Sequence, residues 1–160
     1  MVAAVILAFS LVLSTSLIHY MILRWLSGGM AHIVMTDRMR VLVIVFVILA
    51  AHLVEVVLYA GAFALGDQVL RLGAFNGLPV IDTYDYLYFS IVSFTSLGLG
   101  DVFPSGNLRF ITGVEALNGL LLIAWSGSFL YLAMGRLWPW QNCAAPTRFG
   151  DQQINKRDQS

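Results

Sequence analysis

Three long apolar segments constrain the fold of this chain more than any other feature, because each is long enough to cross a lipid bilayer. They cover residues 2–26, 41–65 and 110–137, and a transmembrane helix needs about 20 predominantly apolar residues. Charged residues make up only 11% of the 160 positions, whereas a soluble domain has about 25%. The sequence therefore predicts an all-α membrane protein with three transmembrane helices.

The basic residues are distributed unevenly around these segments. Three arginines lie in or beside the first connection, and four basic residues lie at the end of the third segment or after it, but only two lie between the second and third segments. Cytoplasmic loops carry the excess of Lys and Arg. We therefore expect an integral membrane protein with its N-terminus outside. The connection at 27–40 and a disordered tail at 138–160 are expected to be cytoplasmic.

The first segment also has to be distinguished from a signal peptide. No Lys or Arg precedes Arg24, whereas a secretory signal begins with a basic region. We therefore expect residues 1–26 to form a retained accessory helix that packs outside the second helix and faces lipid. Its deletion is expected to change assembly or stability more than ion preference.

The segment between the second and third apolar stretches has its own organisation. Residues 66–82 hold several turn-forming residues and predict an extracellular loop. Asp82 can cap a helix that begins near Tyr84, with Asp85 in the first turn, where a carboxylate is favourable. This helix is too short to span a bilayer but long enough to enter it and return. Non-helical backbone at membrane depth is tolerated only where it is buried in protein or lines a water-filled cavity. We therefore expect the strand that follows this helix to line such a cavity.

That strand contains two glycines spaced by one residue. Its sequence is Thr95, Ser96, Leu97, Gly98, Leu99, Gly100 and Asp101. Glycine adopts φ values of either sign at no steric cost, so such a strand can turn successive carbonyl oxygens toward one axis. Rings of backbone carbonyls can replace the hydration shell of a potassium ion. The strand is therefore a candidate selectivity filter, and residues 83–109 form a unit of pore helix, filter and outer mouth.

These residues resemble the pore module of the potassium-channel superfamily, whose usual filter reads Thr-Val-Gly-Tyr-Gly-Asp. Matching positions outside the filter are Tyr88, Phe89, Pro104, Arg109 and the hinge glycine at Gly119. The stretch 115–126 also resembles a group of small bacterial ion-channel proteins with a three-helix layout, which implies a location in a bacterial inner (plasma) membrane. The resemblance implies an outer helix at 41–65, a re-entrant pore helix, and an inner helix at 110–137.

The resemblance also implies a function, that of a homotetrameric cation channel in lipid that passes K⁺ passively. The backbone carbonyls of Ser96, Leu97, Gly98 and Leu99 would bind the ion, with the Ser96 hydroxyl helping at the innermost site. Four copies are needed because one chain supplies only one wall of the ring. No cofactor is implied besides K⁺ as the permeant ion. The alternatives are a weakly selective monovalent cation channel and a non-conducting membrane scaffold subunit.

The filter region departs from the family pattern at several positions. Ser96 keeps a hydroxyl but lacks the methyl group of threonine, and Leu99 replaces an aromatic residue. Phe89 replaces a tryptophan whose indole N–H can bond the filter aspartate, and phenylalanine has no donor. Asp101 therefore needs another partner, for which Tyr88 is a candidate, or it faces water.

Two carboxylates lie within the apolar segments, where an ionised side chain is costly. Glu55 shares one helical face with His52 and Tyr59. This group is a pH-sensitive gate, since histidine titrates near neutral pH, or a polar clasp to a neighbouring helix, or Glu55 is simply neutral. Glu115 either lies behind the filter, replacing the glutamate that some family members have at the position of Val92, or attracts cations near the cavity.

Gly119 allows two interpretations. It is a candidate gating hinge, because glycine lowers helix stability by about 1 kcal/mol relative to alanine. It also suits close packing, because small residues line contacts between transmembrane helices.

Other classes of function are not favoured by the sequence. His19, His32 and Cys143 have no partners at metal-ligand spacing, so no structural zinc site is predicted. No nucleophile–base constellation indicates an enzyme. The formal net charge is zero, which gives no electrostatic case for nucleic acid.

Overall fold

The computed structural model describes residues 1–29 and 35–137. The helices of this part are α1 (Val2–Gly29), α2 (Asp37–Ala64), α3 (Thr83–Phe94) and α4 (Leu108–Leu137). The strands are β1 (Phe75–Gly77) and β2 (Val102–Pro104). The expected cytoplasmic tail at 138–160 with Cys143, and the part of the first connection that holds His32, lie outside the described residues.

The fold class predicted from the sequence is confirmed. Helices α1, α2 and α4 are long and apolar enough to cross a membrane. The 12-residue helix α3 lies between the second and third of them in the chain and packs against both α2 and α4. This arrangement holds a short pore-loop helix between two spanning helices.

Helix α1 does not pack only on the outside of α2, and that expectation is corrected. It packs against both α2 and α4. One face of α1, which includes Ala8, Thr15 and His19, is buried, whereas Phe9 and Leu13 are exposed. Small and polar residues on one face allow close approach and hydrogen bonding to two neighbours. The nearly uniform apolar composition of α1 hid this face in the sequence.

The segment expected to be an irregular extracellular loop contains regular structure. Helix α2 continues through a π-helical turn at Leu65–Val69. Strand β1 pairs antiparallel with β2, so that Asn76 lies opposite Phe103. This ladder ties the chain that precedes the pore helix to the chain that leaves the filter.

Two apolar clusters mark the two ends of the molecule. Near the pore helix, four aromatic rings make edge-to-face contacts with centroids 4.9 to 5.9 Å apart. These rings belong to Phe63, Phe75, Tyr86 and Phe89. At the other end, the C-terminal part of α1, the N-terminal part of α2 and the C-terminal part of α4 share a cluster around Leu26, Ile44 and Phe129. The glycine-bearing strand and the arginine-flanked helix ends are therefore at opposite ends.

Candidate functional site

The pore helix α3 begins where the sequence predicts. Asp82 is the N-cap, and the Asp85 carboxylate accepts hydrogen bonds from the backbone N–H groups of Ile81 and Asp82 at 2.7 and 2.9 Å. These bonds favour the ionised carboxylate and lower the pKa of Asp85. The Tyr86 hydroxyl donates to Asp67 at 2.6 Å. The start of α3 is thus joined to the end of the outer helix.

The end of α3 turns the chain into the glycine-bearing strand by a Schellman motif. Thr95 is the C-cap, and the N–H of Ser96 donates to the Ser93 carbonyl at 2.9 Å. The N–H of Leu97 donates to the Val92 carbonyl at 2.9 Å. This pair of bonds requires a left-handed residue after the cap, and Ser96 adopts φ +56°. A non-glycine residue in this conformation costs roughly 1–2 kcal/mol, so the turn is held by its hydrogen bonds.

The left-handed conformation recurs at every second residue of the strand. Ser96, Gly98 and Gly100 have φ values of +56°, +59° and +78°. The two glycines meet no steric cost at these values. Alternation of this kind is the conformation that the sequence predicted for a strand that turns its carbonyl oxygens toward one axis.

The carbonyl oxygens of the proposed ion-binding residues are available for contacts beyond the described part of the chain. In the part of the chain that the structure describes, those of residues 96–99 accept no hydrogen bond. The side chains of Leu97 and Leu99 are 61% and 59% exposed in the single chain. Polar backbone groups need a partner when they leave water. These oxygens are therefore available to an ion or to water.

The outer end of the strand is fixed by Asp101. Its carboxylate accepts a hydrogen bond from the Tyr88 hydroxyl at 2.6 Å and one from the backbone N–H of Val102 at 3.0 Å. Tyr88 therefore supplies the donor that Phe89 lacks. The bond from Tyr88, followed by the one from Val102, lowers the pKa of Asp101. The Asp101 carbonyl accepts from Leu78 beside β1 at 2.9 Å.

Gly119 lies where α4 passes the C-terminal end of the pore helix. A Cβ atom at this position would overlap the carbonyl oxygen of Phe94. The absence of a side chain therefore lets α4 approach the backbone just before the filter. The gating-hinge role remains a prediction, and α4 is one continuous helix from Leu108 to Leu137.

Glu115 lies behind the pore helix. It is fully buried, and its Oε1 lies 2.6 Å from the Ser90 hydroxyl. Ser90 Oγ also lies 2.9 Å from the Val56 carbonyl, and a hydroxyl has only one hydrogen to donate. A neutral Glu115 that donates to Ser90, while Ser90 donates to Val56, satisfies both contacts. This position favours the role behind the filter over an exposed cation-attracting site.

Glu55 lies at the centre of a polar cluster that joins three helices. His19 Nδ1 on α1 is 2.8 Å from Glu55 Oε1, and His52 Nδ1 is 2.9 Å from Glu55 Oε2. Ser126 Oγ on α4 is 3.0 Å from His19 Nε2 and 3.1 Å from His52 Nε2. The expectation that His19 has no partner at metal-ligand spacing is therefore wrong. Its partners lie on other helices, where sequence spacing does not reveal them.

Tyr59 does not join this cluster. Its hydroxyl accepts a hydrogen bond from Asn118 Nδ2 at 3.2 Å, and the same amide donates to Thr15 at 2.8 Å. The polar contact of Asn118 with Thr15 and Tyr59 thus also links α1, α2 and α4. On α1 and α2 it lies about one helical turn from the cluster around Glu55. The two sets of contacts form the clasp between helices that the sequence offered as one interpretation of Glu55.

Comparison with protein families gives one match. The family described as "Ion channel" matches residues 42–134, which cover most of α2, the pore helix, the glycine-bearing segment and most of α4. The chain belongs to this ion channel family. No curated protein and no solved structure matches it significantly.

Sequence reasoning described the matched residues, 42–134, better than it described the rest of this channel. The structure places Thr95 to Asp101 between the pore helix and β2, in a segment that forms no ladder with β1 or β2. Sequence reasoning missed His19 as a partner of Glu55 and Ser126 as a partner of both histidines. Their signal was present, because polar residues inside transmembrane segments commonly face protein and mark contacts between helices.

Proposed function

We propose that four copies of this channel assemble around one axis and pass K⁺ passively through the strand from Ser96 to Leu99. The observation that carries the proposal is the alternation of left-handed φ at Ser96, Gly98 and Gly100, in a strand whose carbonyls lack partners among the described residues. Four such strands would surround a dehydrated ion with backbone oxygens, with the Ser96 hydroxyl at the innermost site.

A weakly selective monovalent cation channel is the second candidate. Leu99 favours it, because a leucine at this position offers no aromatic ring or hydroxyl to brace the strand against the pore helix. The braces that support selectivity are the Schellman turn at Ser96 and the Tyr88–Asp101 hydrogen bond. A non-conducting scaffold subunit is the third candidate, and the ion-flux test below distinguishes it from the two kinds of channel.

The proposed orientation places the filter outside and the cluster around Leu26 and Ile44 at the cytoplasmic face. The cluster around Leu26 and Ile44 lies where the three helix ends that carry Arg24, Arg40 and Arg136 meet. Lys and Arg are enriched in cytoplasmic regions. With this orientation the N-terminus lies outside and residues 138–160 lie in the cytoplasm of a bacterial cell.

Ion flux in reconstituted vesicles tests the proposal. The full chain is expected to pass K⁺ faster than Na⁺ under equal gradients. An alanine at φ +59° carries about 1–2 kcal/mol of strain, so Gly98→Ala should reduce K⁺ flux about tenfold. Gly61→Ala is the matched control, because a Cβ at Gly61 meets no atom within 4 Å and the residue has no left-handed φ.

The outcomes separate the candidates. Equal K⁺ and Na⁺ flux that is lost in Gly98→Ala supports the weakly selective channel instead. No flux of either ion, with a tetrameric native mass in mild detergent, supports the scaffold. A monomeric or dimeric native mass contradicts any channel built from four filter strands.

A further inference from the structure

The polar cluster of His19, His52, Glu55 and Ser126 takes no part in the proposed conduction path. His19 and Glu55 are fully buried, and the His52 side chain is 16% exposed. One ligand atom from each histidine and one from Glu55 lie within 4.8 Å of one another. Two imidazoles and a carboxylate thus converge on one point between helices.

We propose that His19, His52 and Glu55 form a binding site for a divalent transition metal ion, with Zn²⁺ as the best-suited ion. Two imidazole nitrogens and one carboxylate oxygen form a donor set that Zn²⁺ uses where a fourth position is left to water. Imidazole nitrogens select against Mg²⁺ and Ca²⁺, which prefer oxygen ligands.

The geometry needs an adjustment of the side chains to accept the ion. The Nδ1 atoms of His19 and His52 face Glu55, at 2.8 and 2.9 Å from its two oxygens. Tetrahedral Zn²⁺ with bonds of about 2.0–2.1 Å places its ligands roughly 3.3 Å apart. The three ligand atoms lie within 4.8 Å of one another, so the pair that is farthest apart has to approach by up to about 1.5 Å.

Ser126 supplies the outer support that such a site requires. Histidines that bind a metal through one nitrogen usually donate the other N–H to a fixed acceptor, which orients the ring. Ser126 Oγ lies 3.0 and 3.1 Å from the two Nε2 atoms. A hydroxyl oxygen has two acceptor lone pairs, so both neutral imidazoles can donate to it while their Nδ1 atoms bind the ion.

The surroundings of the cluster favour retention of a bound ion. The Trp125 ring lies 5.6 Å from the His19 ring, and the Phe94 ring meets the His52 ring edge-on at 5.8 Å. These aromatic walls limit access of water. The ion would tie α1, α2 and α4 together beside Phe94, which is the last residue of the pore helix.

Metal binding to the full chain in detergent tests this proposal without any measurement of conduction. After removal of metal with a chelator, the wild-type protein should bind one Zn²⁺ per chain by elemental analysis. Co²⁺, used as a spectroscopic substitute, should give visible d–d absorption typical of a tetrahedral nitrogen and oxygen site. Zn²⁺ should also raise the unfolding temperature, because a ligand that binds only the folded state stabilises it.

Four variants locate the site. His19→Asn, His52→Asn and Glu55→Gln each remove a ligand atom and should abolish the Co²⁺ absorption. Ser126→Ala keeps all three ligands and should weaken Zn²⁺ affinity about tenfold to a hundredfold. Glu115→Gln is the control, because it changes another fully buried carboxylate that does not contact the cluster, and it should leave the absorption intact.

Each result bears on the proposal. If the ligand variants do not fold, the number of Zn²⁺ ions bound per wild-type chain and the Zn²⁺ affinity of Ser126→Ala still test the proposal. A wild-type protein that binds neither Zn²⁺ nor Co²⁺ overturns the proposal and leaves the four side chains as a closed ring of hydrogen bonds. Unchanged binding in His19→Asn and Glu55→Gln overturns it as well, because the ion then lies elsewhere.

Discussion

At the scale of single residues, Gly119 shows how one absent side chain positions two elements. A Cβ atom here would overlap the Phe94 carbonyl oxygen, and backbone cannot rotate away as a side chain can. Overpacking of this kind costs about 1–3 kcal/mol. We expect Gly119→Ala to lower the free energy of unfolding by roughly that amount, and to reduce K⁺ flux by displacing the end of the pore helix. Chemical denaturation in detergent and vesicle flux measure the two effects.

Gly127 gives the matched control on the same helix. A Cβ atom at Gly127 meets no atom of its own chain within 4 Å, and alanine stabilises a helix interior by about 1 kcal/mol relative to glycine. Gly127→Ala should therefore leave stability unchanged or raise it. A similar loss of stability in both variants would contradict the packing role of Gly119.

Tyr88 gives a second prediction at this scale. Its hydrogen bond lowers the pKa of Asp101 from an ordinary 3.8. The stabilisation is therefore present above pH 3.8 and is lost as pH falls through the lower folded-state value. In Tyr88→Phe the donor is absent, so Asp101 is protonated at a higher pH. We expect the midpoint for loss of flux at acidic external pH to move upward.

Tyr84→Phe is the control for this measurement. Tyr84 lies in the first turn of the same helix, is exposed, and makes no hydrogen bond among the described residues. Its substitution should leave the acid midpoint unchanged. A Tyr88→Phe variant that titrates like the wild type would show that the hydrogen bond does not control the outer end of the filter.

At the scale of elements, α1 packs against α2 and α4 and contributes a side chain to the cluster around Glu55 and another to the polar contact of Asn118. Thr15 accepts the hydrogen bond from the buried amide of Asn118. Thr15→Val keeps the shape of the side chain but leaves this donor without the acceptor. A buried donor that loses its partner costs about 1–3 kcal/mol, so the unfolding free energy should fall by that amount. The ratio of K⁺ to Na⁺ flux should stay constant, because the bond is remote from the filter strand.

Ser10→Ala is the matched change on the same helix. The Ser10 hydroxyl is exposed and, within residues 1–29 and 35–137, bonds only the Leu7 carbonyl of its own helix, so its loss should be nearly neutral. A shift in ion preference in Thr15→Val would mean that α1 acts on the filter, against the separation of roles that we infer.

At the scale of the whole molecule, the single chain leaves its functional surface open. The filter segment is held by hydrogen bonds to α3, while its leucines are exposed. The same surface would be covered by neighbouring copies in a ring. Within one subunit, the pore helix contacts the fully buried Glu115 and Gly119 on α4 and the Phe63 ring on α2.

Local physics made much of this protein predictable from its sequence. The length of the apolar segments determined three spanning helices, and Asp82 marked the start of the pore helix. Gly98 and Gly100 marked a strand with left-handed residues, because only a residue without a Cβ atom adopts that conformation freely. Each of these features depends on residues that are close together in the chain.

The tertiary structure alone decided which polar residues meet. His19 and Glu55 are 36 positions apart, and Ser126 lies 107 positions from His19. Their contact depends on the rotation and vertical offset of three helices, which apolar segments of nearly uniform composition do not specify. The same holds for the buried face of α1 and for the overlap that forbids a side chain at Gly119. Sequence periodicity describes one helix at a time, whereas packing between helices is set by all of their surfaces together.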